Sequence, residues 1–130
     1  METLSGKSCD PLQLSSLSLA FVGDTVYDLL VRESLVTDAN RPVNALHKLA
    51  VEQVKASAQA KAIKDILPML SEEEEAVFKR ARNTRTNHLP KNSNPADYHY
   101  ATGLEALFGY LYLKGEIERI REIFRLINDR

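Results

Sequence analysis

Two acids stand in stretches of sequence where an unpaired charge is costly. Asp24 follows Gly23 inside the apolar run LAFVGDTVYDLL (Leu19–Leu30). Glu105 lies inside ATGLEALFGYLYL (Ala101–Leu113), among Leu104, Leu107, Phe108 and Leu111. One carboxylate on each of two otherwise apolar helices points to a single shared site. Its best-suited content is a hard cation. Mg2+ takes oxygen ligands and keeps several waters, so one or two protein carboxylates suffice when a phosphate completes the shell. Such an ion neutralises charge on a phosphoryl group and activates water. The competing account is structural: Asp24 could cap or pair with Arg32 or Arg85, and Glu105 could be satisfied in the same way. For either acid alone that account is as good as a site, because ion-pair networks also hold half-buried acids. The pair favours the site.

Gly23 supports the pairing, since a glycine inside a helix is destabilising unless it permits close backbone approach. Gly103 and Gly109 flank Glu105 and read similarly, with plain helix–helix packing as the alternative for Gly109.

The elements that must position these acids are helical. Ser15 or Ser16 caps a first helix running to about Leu35. Thr37–Arg41 is a turn, and Pro42 belongs in the first turn of a long second helix reaching Leu67. Its apolar stripe is Leu46, Leu49, Ala50, Val54, Ala58, Ala62 and Ile66. Pro68 stops or kinks it. Ser71 and Glu74 have capping-box spacing and start a third helix. Glu72–Glu75 lie at its positive end. Residues 83–94 read as a mobile loop. Asn94, Pro95 and Asp97 open a fourth helix, which Gly115 ends, and Glu116–Asn128 forms a final amphipathic helix. No segment alternates like a strand, so the fold is all-α.

The chain of 130 residues is 44% hydrophobic, which suits one domain with a real core. Its single cysteine, Cys9, excludes an internal disulfide and a cysteine zinc cluster, and fits a reducing compartment. No run has the length and apolarity of a membrane span or the pattern of a signal peptide, so no membrane partner and a cytoplasmic location are expected. Net charge is −1, yet the charge is segregated. Residues 41–64 hold Arg41, Lys48, Lys55, Lys61 and Lys64 against Glu52 alone. Residues 79–94 hold Lys79, Arg80, Arg82, Arg85 and Lys91 with no acid. Such segregation makes a basic face on a neutral protein and suits a nucleic-acid partner. Solvation of ordinary helix surfaces is the competing explanation for the lysines of 41–64. His47 and His99 read as ordinary residues, and His88, in the basic loop, as a substrate contact. Tyr98, Tyr100, Tyr110 and Tyr112 read as packing residues.

LAFVGDTVYD (Leu19–Asp28) resembles the signature helix of the ribonuclease III catalytic domain, and TGLEALFGYLYL (Thr102–Leu113) resembles its D-x-x-E-A-x-x-G helix. RPVNALHKLA and RARNTR between them are similar to the Mini form, which lacks a double-stranded-RNA-binding domain. The resemblance covers about residues 15–127. It implies a single ribonuclease III-like domain of about five to seven helices over 15–130, after a lead-in at 1–14. It implies catalytic and metal-binding roles for Asp24 and Glu105, with Mg2+, or Mn2+ as a substitute. Ala20 and Thr102 stand where the full-length family carries two further carboxylates, as in the Mini branch.

The activity implied is endoribonucleolytic cleavage of double-stranded RNA by a homodimer, leaving 5′-phosphates. The implied substrate is the 23S ribosomal RNA precursor, with a ribosomal protein on that substrate as a further partner. Duplex RNA is read through shape, phosphates and 2′-hydroxyls. Arg82, Arg85, His88 and Lys91 are then expected as an RNA clamp, with Lys48 and Lys55 on more distant phosphates. The alternatives are a non-catalytic double-stranded-RNA-binding protein and a helical scaffold whose acids pair with arginines.

Overall fold

A computed structural model describes residues 3–85, 89–91 and 93–130. Six α-helices follow in order: α1 (Ser16–Asp38), α2 (Val43–Val54), α3 (Ala56–Ile66), α4 (Glu72–Arg82), α5 (Pro95–Lys114) and α6 (Ile117–Asn128). Short 3-10 turns stand at Pro11–Gln13 and Leu67–Met69, and the described residues hold no strand.

The ends of the helices follow local chemistry. Ser15 caps α1 by accepting from the Ser18 amide. Ser71 and Glu74 form the complete reciprocal box at the start of α4. The Asn94 side chain accepts from the amides of Ala96 and Asp97, ahead of Pro95. Gly115, in the left-handed conformation, closes α5. Glu74 has a second role: its buried carboxylate holds Arg119 of α6 through two hydrogen bonds of 2.8 Å. Arg119 and the Ser71 cap hold that carboxyl below the usual carboxylate range.

Three boundaries differ from the sequence reading. α1 continues to Asp38, three residues past Leu35. Pro42 is the extended residue before α2 rather than its first helical one. The expected long second helix is two helices, because Lys55 is extended (φ −62°, ψ 152°). No glycine or proline marks the break. It leaves no backbone group stranded, since Lys55 N–H donates to Val51 O and Lys55 O accepts from Gln59 N–H. Packing explains the turn: α2 lies on α1, whereas α3 lies on α5. The break also resets helical phase. α3 buries Gln59, Ala60, Ala62, Ile63 and Ile66, while Leu49 of the expected stripe is partly exposed.

α5 is the axis of the molecule. α1, α3, α4 and α6 all pack against it, and its residues 101–111 are buried except at Glu105. Leu104, Leu107 and Phe108 are fully enclosed, each worth roughly 2 kcal/mol of apolar burial. Tyr27 of α1 stands edge-on to Phe108 and Phe124, with ring centroids 5.1 and 5.8 Å away.

Candidate active site

The contact between α1 and α5 is made by backbone. A Cβ on Gly23 would fall 1.5 Å from the Glu105 carbonyl oxygen and 2.7 Å from the Gly109 amide nitrogen. A Cβ on Gly109 would fall 2.0 Å from the Leu19 carbonyl oxygen. The two glycines therefore face each other and let the helices touch. Gly103 has a different use: it receives the ring of Phe78 from α4, which a Cβ would meet at 2.5 Å.

This contact brings Asp24 close enough to Glu105 to bear on its ionisation. The Glu105 carboxyl is pushed up to about 8, first by burial and then by the Asp24 carboxylate. The Gln59 side chain of α3, itself 1% exposed, favours the ionised form. Glu105 is half-buried, but Asp24 is exposed, which corrects the expectation of an acid set in an apolar face. The reason is that one side of α1 is uncovered: Phe21 is 82% exposed and Leu29 52%.

The structural account of the acids fails at its first partner, because Arg32 pairs with Asp28 at 3.1 Å. Among the described residues no ion pair reaches Asp24 or Glu105, and no cluster of three or more metal-ligating side chains forms. Ala20 is buried beside α5, and the Thr102 hydroxyl donates to the Tyr98 carbonyl at 2.9 Å. Two adjacent carboxylates without a neutralising cation fit a hard divalent ion. Two ligands suffice for Mg2+ that keeps its waters.

Gln59 was not anticipated as a site residue. Its signal is a polar side chain at helical spacing, three and seven residues before Ala62 and Ile66 of the inward stripe. The expected RNA contacts are dispersed. Lys48, Arg85 and Lys91 are exposed, and Lys55 pairs with Glu52 at 2.9 Å. Arg82 lies over the rings of Phe78 and Tyr100. His88 lies outside the described residues.

Known proteins resemble this chain in sequence and in fold. Residues 17–116 match the Ribonuclease III domain family. The chain is 52% identical over 115 residues to Mini-ribonuclease 3 of Thermoanaerobacter sp. (strain X514), covering 88% of this chain and 81% of that one. It is 42% identical over 120 residues to Mini-ribonuclease 3 of Symbiobacterium thermophilum, covering 92% of each. A crystal structure of a Fusobacterium nucleatum protein superposes with a TM-score of 0.83 at 32% identity, covering 94% of this chain and 98% of that one. With its two motifs in order on α1 and α5 and these relatives along nearly its whole length, the chain belongs to the ribonuclease III domain family, in its Mini-ribonuclease 3 branch.

Proposed function

We propose that this chain is a magnesium-dependent endoribonuclease that hydrolyses phosphodiesters of double-stranded RNA, leaving 5′-phosphates. The observation that carries the reading is the juxtaposition of Asp24 and Glu105 with no ion-pair partner among the described residues. Asp24 and Glu105 hold the ion, Gln59 orients the Glu105 carboxylate, and the Gly23–Gly109 contact fixes the spacing of the two helices. A divalent cation bound there supplies charge neutralisation at the scissile phosphate and a water of lowered pKa. Lys48, Lys55, Arg82, Arg85, His88 and Lys91 are the proposed RNA contacts. Phosphate contacts of this kind provide much of the affinity.

The substrate in this reading is the 23S ribosomal RNA precursor, which a ribosomal protein presents, and the compartment is the cytoplasm. The decisive assay incubates a precursor stem with purified protein in Mg2+, in Mn2+ and in chelator. Cutting is expected in either ion, none in chelator, and none with Asp24→Asn. Near-normal turnover by a folded Asp24→Asn protein would remove the assignment. Tight duplex binding without cutting in any ion would favour the non-catalytic binder, a reading to which Ala20 and Thr102 lend their missing carboxylates.

The active unit is proposed to be a homodimer joined through α1. Exposed Phe21 and Leu29 stand beside an apolar groove that Val22, Val26, Leu30 and Ile117 help to line. A contiguous apolar surface of this kind marks an interaction site. Sedimentation should give twice the chain mass, and Phe21→Asp should give the chain mass. A wild-type monomer at micromolar concentration would end this part of the reading.

A further inference from the structure

We propose that Lys64 and Arg82, gathered on Tyr100, form a backbone-phosphate site for duplex RNA about one and a half turns of α5 from Glu105; this rests on the nuclease reading above. Lys64 Nζ lies 4.6 Å from the centroid of the Tyr100 ring. The Arg82 guanidinium carbon lies 5.7 Å from the same centroid and 5.5 Å from that of Phe78. Both fall within the range of cation–π attraction. The two charges are thus within about 10 Å of one another, no more than a screening length at 0.1 M salt.

Neither charge is neutralised by a carboxylate among the described residues. The arrangement around them makes this notable. Asp65, next to Lys64 in the chain, is turned to Arg130 at 2.7 Å. Lys79, one turn before Arg82 on α4, is paired with Glu75. Arg82 instead donates from Nε to the neutral Asn83 side chain at 3.1 Å. One cation over a ring is ordinary surface packing. A second cation on the same ring adds repulsion that packing does not need and that a bound anion would relieve.

The platform is built into the helix that carries Glu105. Gly103 admits the Phe78 ring, whose centroid lies 5.7 Å from that of Tyr100. α3 runs antiparallel to α5, so Gln59 stands by Glu105 while Lys64 stands by Tyr100. Five residues of α5 separate the two positions, about 7.5 Å along the helix axis and roughly 140° around it. They also turn Tyr100 toward α4. The phosphate held here is therefore a different one from the phosphate to be cut. Its ligand is the sugar–phosphate backbone, with no base reading.

The test measures binding of a plain RNA duplex in chelator across a salt series. Lys64→Gln and Arg82→Gln should each flatten the slope of log K against log salt by about one, and the double variant by about two. Tyr100→Leu, with both charges kept, should weaken binding several-fold, whereas Tyr100→Phe should retain it. A purely structural role would lower the melting temperature and leave the slope unchanged. Lys64 is exposed, so its variant folds and keeps the test decisive. Wild-type slope in the double variant overturns this site and leaves the nuclease reading intact. Failure of the wild-type chain to bind any duplex in chelator overturns this site; failure to cut duplex RNA in Mg2+ as well overturns both.

Discussion

Glu105→Gln protein, studied without metal, is expected to melt roughly 5–10 °C above the parent at pH 8 and at about the parent's temperature at pH 4. Its cleavage of duplex RNA should meanwhile fall to background. The Glu105 carboxyl ionises near pH 8 in the folded chain, well above the ordinary glutamate range, because it is half-enclosed and faces Asp24. From about pH 4.5 to pH 8 the folded state thus holds a proton that the unfolded chain has already released. The unfolded state binds fewer protons there, so stability declines as pH rises through this window, then levels off. An amide has no proton to lose and abolishes the decline, a gain on the order of 2 kcal/mol at pH 8. Divalent metal should shift the parent upward in the same window, because cation and proton compete for the carboxylates. Calorimetry of both proteins at several pH values, with chelator and with Mg2+, checks each part. Parallel melting curves at all pH values would show that Glu105 does not hold its proton in the folded state.

Gly23→Ala should be the more destructive change. Its methyl group would fall 1.5 Å from one backbone atom and 2.7 Å from another, so no side-chain rotamer can relieve the clash. α1 and α5 must separate, at an expected cost of at least about 3 kcal/mol. Any molecules that fold would hold Asp24 away from Glu105. A displacement near 1 Å is enough to lower turnover about a hundredfold. Gly109→Ala should behave alike, since its Cβ meets the Leu19 carbonyl at 2.0 Å. Gly6→Ala is the control: a Cβ there meets nothing within 4 Å, and its positive φ costs only about 1–2 kcal/mol. Denaturant unfolding of the three variants decides the matter. A Gly23→Ala protein as stable as Gly6→Ala would contradict backbone contact between the helices.

Much of this arrangement is legible in the chain because local chemistry dictates it. Ser15, the Ser71–Glu74 box, Asn94–Pro95 and Gly115 each mark a helix end through a hydrogen bond or a backbone conformation their neighbours cannot supply. Asp24 and Glu105 are visible as acids within apolar runs, and Gly23 as a residue whose only benefit is proximity. The break at Lys55 is invisible, because nothing in Val54-Lys55-Ala56 disfavours a helix. It arises from the separate docking of α2 on α1 and α3 on α5. Gln59 shares the inward face of Ala62 and Ile66, but as a polar side chain it does not register in an apolar stripe. The exposure of Asp24 was hidden for a related reason. Phe21 and Leu29 belong to an apolar run in sequence, yet no element among the described residues covers them.

The enclosure of α5 bears on how such a site can diversify. Nearly every position from Ala101 to Leu111 is committed to the interior, so a new functional group on that helix must displace packed volume. Asp24 is exposed, and α3 reaches the acid pair through a single amide side chain. In the proposed nuclease reading, variation in metal preference or cutting rate is therefore more accessible at Asp24's neighbours on α1 and at Gln59 than on α5. A designer seeking altered chemistry would leave the central helix untouched and diversify the two that lean on it.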